Sequence, residues 1–131
     1  MSLLTATKHH DPEGLPSVMS GFDVSYHVGP TLTPERVGRG VVYVLARWSP
    51  EAVDRFDELS LELTRSGYSG KLIVVDLADT TLDVIAFGRC FGLAIHGWGE
   101  AFAVDGGRVV ARSSMEEGST LAALARAMDR A

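Results

Sequence analysis

Several places in this chain combine residue types that could do chemistry. In Ala46-Arg47-Trp48-Ser49-Pro50-Glu51-Ala52, a serine hydroxyl follows a tryptophan and would be a nucleophile if a base stood beside it. The same serine, followed by proline and an acid, has the pattern of a helix start: an N-cap, a first-position proline and a carboxylate at the positive end of the dipole. Ser49 is therefore expected to cap rather than to attack. Cys90, the sole cysteine, would be a redox or glutathionylation site only as an exposed, low-pKa thiolate. Between Phe87 and Phe91 it is expected instead to be buried as a small hydrophobe. In His96-Gly97-Trp98-Gly99-Glu100, strand-like alternation would put the histidine, tryptophan and glutamate on one side, as a binding patch or an acid/base pair. His9-His10-Asp11 has metal-ligand chemistry but no further ligand nearby, and reads as a solvated tail. The paired acids Asp57-Glu58 and Glu116-Glu117 read as solvated faces. Neither HGWG nor DGG has the arrangement of a phosphate loop. No metal and no cofactor is expected.

The elements that must position these residues follow from periodicity and punctuation. Residues 1–21 hold Pro12, Gly14, Pro16 and Gly21 without periodicity and read as a flexible arm, leaving 22–131 as the folded domain. FDVSYHV alternates weakly and predicts a first strand, and Thr33-Pro34-Glu35 a short helix start. VVYVLA (41–46) and LIVVDL (72–77) are apolar runs suited to strands covered on both faces. Between them Ala52, Phe56, Leu59 and Leu63 recur at helical spacing up to a stop at Gly67. Thr80 or Thr81 is expected to cap a third helix with Leu82, Ile85, Ala86 and Arg89 on one side. Asp105-Gly106-Gly107 between two short apolar runs predicts a hairpin, and Ser119 is expected to cap a last helix bearing Leu121, Leu124, Ala125 and Met128. The order is β-α-β-α-β-α-β-β-α, an α/β mixed sheet flanked by helices.

Composition narrows the partners. A net charge of −5 and a pI near 5.3, with scattered arginines, argue against a nucleic-acid footprint. The apolar runs are too short to span a bilayer. One cysteine and no signal-like start fit a reducing compartment, so a cytoplasmic location is expected. The excess of arginine over lysine, with abundant alanine and glycine, suits a GC-rich bacterial genome.

From about residue 24 onward the chain resembles the thioredoxin-like family. The element order corresponds, ARWSPEA stands where typical members have a tryptophan followed by C-x-x-C, and VDGGRVVAR resembles the late strand–turn–strand. The resemblance implies a thioredoxin-like sheet, parallel strands plus a C-terminal antiparallel hairpin. It also implies which parts of the redox apparatus have gone. Ser49 and Ala52 occupy the two cysteine positions, Tyr43 the position of the buried acid, and HGWGEAF has no proline where many members have a cis-proline. A serine hydroxyl cannot replace a thiolate in disulfide exchange. The resemblance thus implies a redox-inactive domain that acts as a protein-binding or assembly module, its partner unidentified, with Trp48, Ser49, Pro50, His96, Trp98 and Glu100 as the contact surface. The competing readings are a divergent thiol oxidoreductase using Cys90, unknown acid/base chemistry at His96 and Glu100, and a homodimerising structural protein. The segment from Asp76 to Asp105 is longer than the family needs, so the register of the third helix is open.

Overall fold

The computed structural model describes residues 22–115 and 118–129. The arm over 1–21, His9-His10-Asp11 and Glu116-Glu117 lie outside the described residues. Five strands, β1 (Asp23–His27), β2 (Gly40–Leu45), β3 (Lys71–Asp76), β4 (Ala101–Asp105) and β5 (Arg108–Ser113), form one sheet in the order β1-β3-β2-β4-β5. The first three are parallel, with Val24 level with Leu72 and Val41 also level with Leu72, while β4 runs antiparallel to β2 and to β5. This is a thioredoxin-like topology, as the resemblance implied.

β2 is central and every one of its six residues is buried, because both faces of the sheet are covered. Val41, Tyr43 and Leu45 point into a core shared with Phe56, Leu59 and Leu63 of α2 (Pro50–Arg65) and Leu121, Leu124 and Met128 of α4 (Leu121–Asp129). Val42 and Val44 point the other way, into a core with Val37 of α1 (Pro34–Val37) and Phe87 and Phe91 of α3 (Val84–Phe91). Each fully buried large side chain contributes about 1.5–3 kcal/mol of transfer free energy, so α2, with three of them, is fixed mainly by its apolar stripe.

Local signals set most element ends. Ser49 Oγ accepts the Ala52 N–H at 3.2 Å, with Pro50 and Glu51 in the first turn. The β4–β5 turn places Gly106 and Gly107 at φ 63° and 74°, the paired positive values of a tight hairpin.

Two helices depart from expectation. α4 is capped by Thr120, whose Oγ1 accepts the Ala123 N–H at 3.1 Å, rather than by Ser119. α3 begins after Asp83, whose carboxylate accepts the Ala86 N–H at 3.0 Å, and not at Thr80 or Thr81. Thr81 instead donates to Asp79 through its amide and its hydroxyl, in a turn that precedes the helix. The side of α3 that meets the core is Phe87, Gly88 and Phe91; Ile85 is 70% exposed and Arg89 is exposed. Cys90 is exposed too, a correction to its expected burial. It sits one residue before Phe91 and so roughly 100° round the helix from it, which carries it off the apolar stripe. The length between Asp76 and Asp105 goes into the turns before α3 and the loop 92–100, not into a longer helix.

Candidate functional site

The carboxyl end of β2 and the loop entering β4 lie side by side at one end of the sheet. β2 leads into Ala46, Arg47 and Trp48, and the Ser49 amide donates back to the Ala46 carbonyl at 3.0 Å, which turns the chain into α2. Trp48 is left 66% exposed, while Ser49 behind it is buried and Pro50 is exposed. The opposing loop packs against it through two glycines, Gly97 required by its left-handed backbone and Gly99 by both its left-handed backbone and lack of space. A Cβ on Gly97 (φ 83°) would lie 3.4 Å from Ala46 Cβ and 4.0 Å from Trp48 Cζ2. One on Gly99 (φ 81°) would lie 2.6 Å from the Tyr43 hydroxyl. Between them Trp98 is 36% exposed and stacks on the His96 ring, with centroids 4.6 Å apart and planes at 26°. The structure therefore brings Trp48, Gly97, Trp98 and His96 into one neighbourhood.

Glu100 does not join that surface. It is fully buried, so the expected alternation of His96, Trp98 and Glu100 on one side does not occur; the positive φ values at Gly97 and Gly99 break it. Its Oε2 accepts the backbone N–H of His96 at 2.8 Å, and its carbonyl accepts from Val44 at 2.9 Å. Oε1 is buried without a hydrogen-bond partner. The carboxylate thus ties down the loop that carries the histidine, meeting its backbone, while the imidazole lies against Trp98.

Arg55 of α2 fastens the same loop from the other side. Its Nε donates to the Gly99 carbonyl at 3.0 Å and its Nη2 to Ser113 Oγ at 2.9 Å. Tyr43, at the position the resemblance assigns to a buried acid, is fully buried, and its hydroxyl donates to the Ala52 carbonyl. Burial pushes its phenol well above the ordinary tyrosine range, against a smaller opposing pull from Arg55 and with a further push from Glu100. It stays protonated at every physiological pH and serves as a structural hydrogen-bond donor. Ser49 Oγ, besides capping α2, donates to Glu51 Oε1 at 3.2 Å; the hydroxyl is thus held between a helix amide and a first-turn carboxylate, in a side chain that is itself buried.

A second polar cluster forms where the ends of three strands meet. Arg47 Nε and Asp76 Oδ2 pair at 2.8 Å, Arg47 Nη2 donates to the Tyr26 hydroxyl at 3.2 Å, and the guanidinium lies 5.7 Å from the Tyr26 ring centroid. These residues, with His27 and Asp79, line a cavity of about 310 Å³ at the carboxyl ends of β1, β2 and β3. Burial, then Arg36, holds the His27 imidazole below the usual histidine range against the opposite pull of Asp79, and its Nε2 is buried without a partner. The signal lay in the positions of Arg47 and Asp76, each a charge at the end of an apolar strand run. Their pairing depends on strand order and cannot be read locally.

Cys90 stands apart, in a surface cleft of about 410 Å³ with Glu35, Arg108 and Arg112. Among the described residues no group of three histidine, cysteine, aspartate or glutamate side chains could hold a metal ion, and no helix is long and apolar enough to cross a membrane. No protein-family model matches the chain, and no curated protein matches it in sequence.

Proposed function

We propose that this thioredoxin-like domain works as a protein-binding or assembly module whose contact surface is the end of the sheet carrying Trp48, Pro50, His96 and Trp98. Ser49 and Glu100 belong to the site as supports, one capping the helix behind Trp48 and the other holding the His96 amide. The observation that carries the reading is the pair of exposed indoles on two loops pinned by Gly97, Gly99, Arg55 and Glu100. Aromatic side chains held rigidly lose little entropy on binding and commonly dominate interface energetics. The chain has no C-x-x-C, which leaves two-cysteine exchange without its reacting atoms.

The test is affinity capture from cells of the source organism by wild-type protein and by Trp48→Ala and Trp98→Ala, followed by titration of the captured partner. A partner retained by wild type and weakened tenfold or more by each variant supports the reading. Equal retention by all three removes it. Exposure of Cys90 favours one competing reading, a single-thiol oxidoreductase. Insulin reduction with and without Cys90→Ser decides it, since thiol-dependent turnover would replace binding as the function. A homodimer through the aromatic surface would sediment as such in a concentration-dependent way, and Trp98→Ala would abolish it.

A further inference from the structure

The proposed surface says where a partner sits and not what it is made of. We infer that the occupant is a basic segment of a protein partner, an arginine- or lysine-bearing stretch laid over Trp48 and Trp98 and into the groove between α2 and α4; this rests on the protein-binding reading above.

The indole faces are the first reason, because a cation is drawn to the negative face of an aromatic ring, most strongly to tryptophan. The second is the charge of what adjoins them. A groove of about 530 Å³ is lined by Glu51, Asp54 and Glu58 on one wall and by Met115 and the start of α4 on the other. The three acids fall at i, i+3 and i+7, one exposed face of α2. None of them takes part in the ion pairs found among the described residues, Arg39–Asp105, Arg47–Asp76 and Arg65–Glu62. Arg55, which also lines the groove, directs its guanidinium to the Gly99 carbonyl and Ser113 Oγ. Arg47, next to Trp48 in the chain, is held by Asp76.

Groove and aromatics are continuous. Glu51 is bonded to Ser49, the residue after Trp48, and Arg55 runs from the groove to the loop that presents Trp98. A segment anchored on the indoles therefore passes directly onto three exposed carboxylates set against the single guanidinium of Arg55, an acidic excess in a chain whose net charge is −5. Charge complementarity of this kind selects a cationic partner and repels an acidic one.

The experiment titrates the full chain, by tryptophan fluorescence and calorimetry, with three blocked nonapeptides that differ only at four positions: arginine, citrulline or glutamate. The arginine peptide is expected to bind at least tenfold more tightly than the citrulline peptide, the glutamate peptide not at all. Raising the salt should weaken the arginine peptide, since the groove acids are exposed and screened. The combined variant Glu51→Gln, Asp54→Asn, Glu58→Gln, verified as folded by its melting curve, should weaken it tenfold or more, and Trp48→Ala likewise. Equal binding of arginine and citrulline peptides, both lost in Trp48→Ala, overturns the charge assignment and leaves the aromatic docking surface standing. Arginine-peptide binding that survives Trp48→Ala and Trp98→Ala overturns the surface itself and this inference with it. Absence of binding at millimolar peptide, or self-association through the patch that the arginine peptide does not dissolve, also overturns it.

Discussion

At the scale of single residues, the position that the resemblance assigns to the attacking cysteine is held by a helix cap. Ser49 Oγ accepts the Ala52 N–H and its side chain is nearly enclosed, so its contribution is local and measurable. Ser49→Ala should lower stability by about 1 kcal/mol, and Ser49→Asp, which keeps an acceptor at the cap, should retain nearly all of it in urea unfolding. A large loss in Ser49→Asp would mean that the hydroxyl does more than cap. Cys90 makes the opposite point, because its neighbours Phe87 and Phe91 share the helical stripe and it does not. Alkylation of Cys90 by a thiol reagent should proceed in the native protein within about tenfold of its rate in denaturant. Slowing by a hundredfold or more would place the thiol inside.

Among the elements, the loop 92–100 depends on side chains that reach it from elsewhere. It has no helix or strand of its own, and its shape is fixed by Arg55 on the Gly99 carbonyl, by the Glu100 carboxylate on the His96 amide, and by close passage over Tyr43 and Ala46. A hydrogen bond to a charged group contributes about 1.5–3 kcal/mol. Arg55→Met keeps the length and most of the apolar stem while removing that donor. It should raise hydrogen exchange at His96 to Gly99 by about tenfold or more and leave the α2 and β2 amides protected. Unchanged exchange in the loop would show that packing of Trp98 and Gly97 alone holds it. Partner affinity should fall with the loop's order, since the rigid presentation of Trp98 is what the binding surface relies on.

Across the whole molecule, what was legible in the sequence is what local physics decides. Six-residue apolar runs gave β2 and β3, Ser-Pro-Glu gave the start of α2, and Asp-Gly-Gly gave the hairpin, and together they led to the element order and a mixed sheet, while the strand order came from the structure. The phase of α3 was not legible: Leu82, just before the helix, is buried as expected, but within the helix Phe87 and Phe91 take the core and Ile85 is left exposed, a choice that depends on the sheet they pack against. Glu100 looked like a surface acid because nothing nearby in sequence shows that Gly97 and Gly99 reverse the alternation. The same limit hid the Arg47–Asp76–Tyr26 cluster and the enclosed His27 Nε2 beside it, three strands brought together by topology.

That cluster gives the fold a pH dependence with a definite sign. Burial and Arg36 hold the His27 pKa below the ordinary histidine value of about 6.5, and the Asp79 carboxylate only partly offsets them. The folded state therefore favours the neutral imidazole, whereas the unfolded chain takes up its proton near pH 6.5. As the pH falls from about 7, the unfolded state binds more protons than the native one, and stability must decline. The decline continues until the folded pKa is passed and then levels. Asp79, held below the usual aspartate range by the Thr81 hydroxyl and the Gly29 amide, loses its own contribution only at more acid pH, in the same direction. Urea midpoints measured between pH 7.5 and about 5 should accordingly fall in wild type. In His27→Gln, which keeps a side chain of similar size that carries no charge at any of these values, the part of the slope below pH 6.5 that belongs to this residue should vanish. A slope that survives His27→Gln unchanged would assign the acid sensitivity to other groups and would mean that the imidazole reaches water in the folded protein.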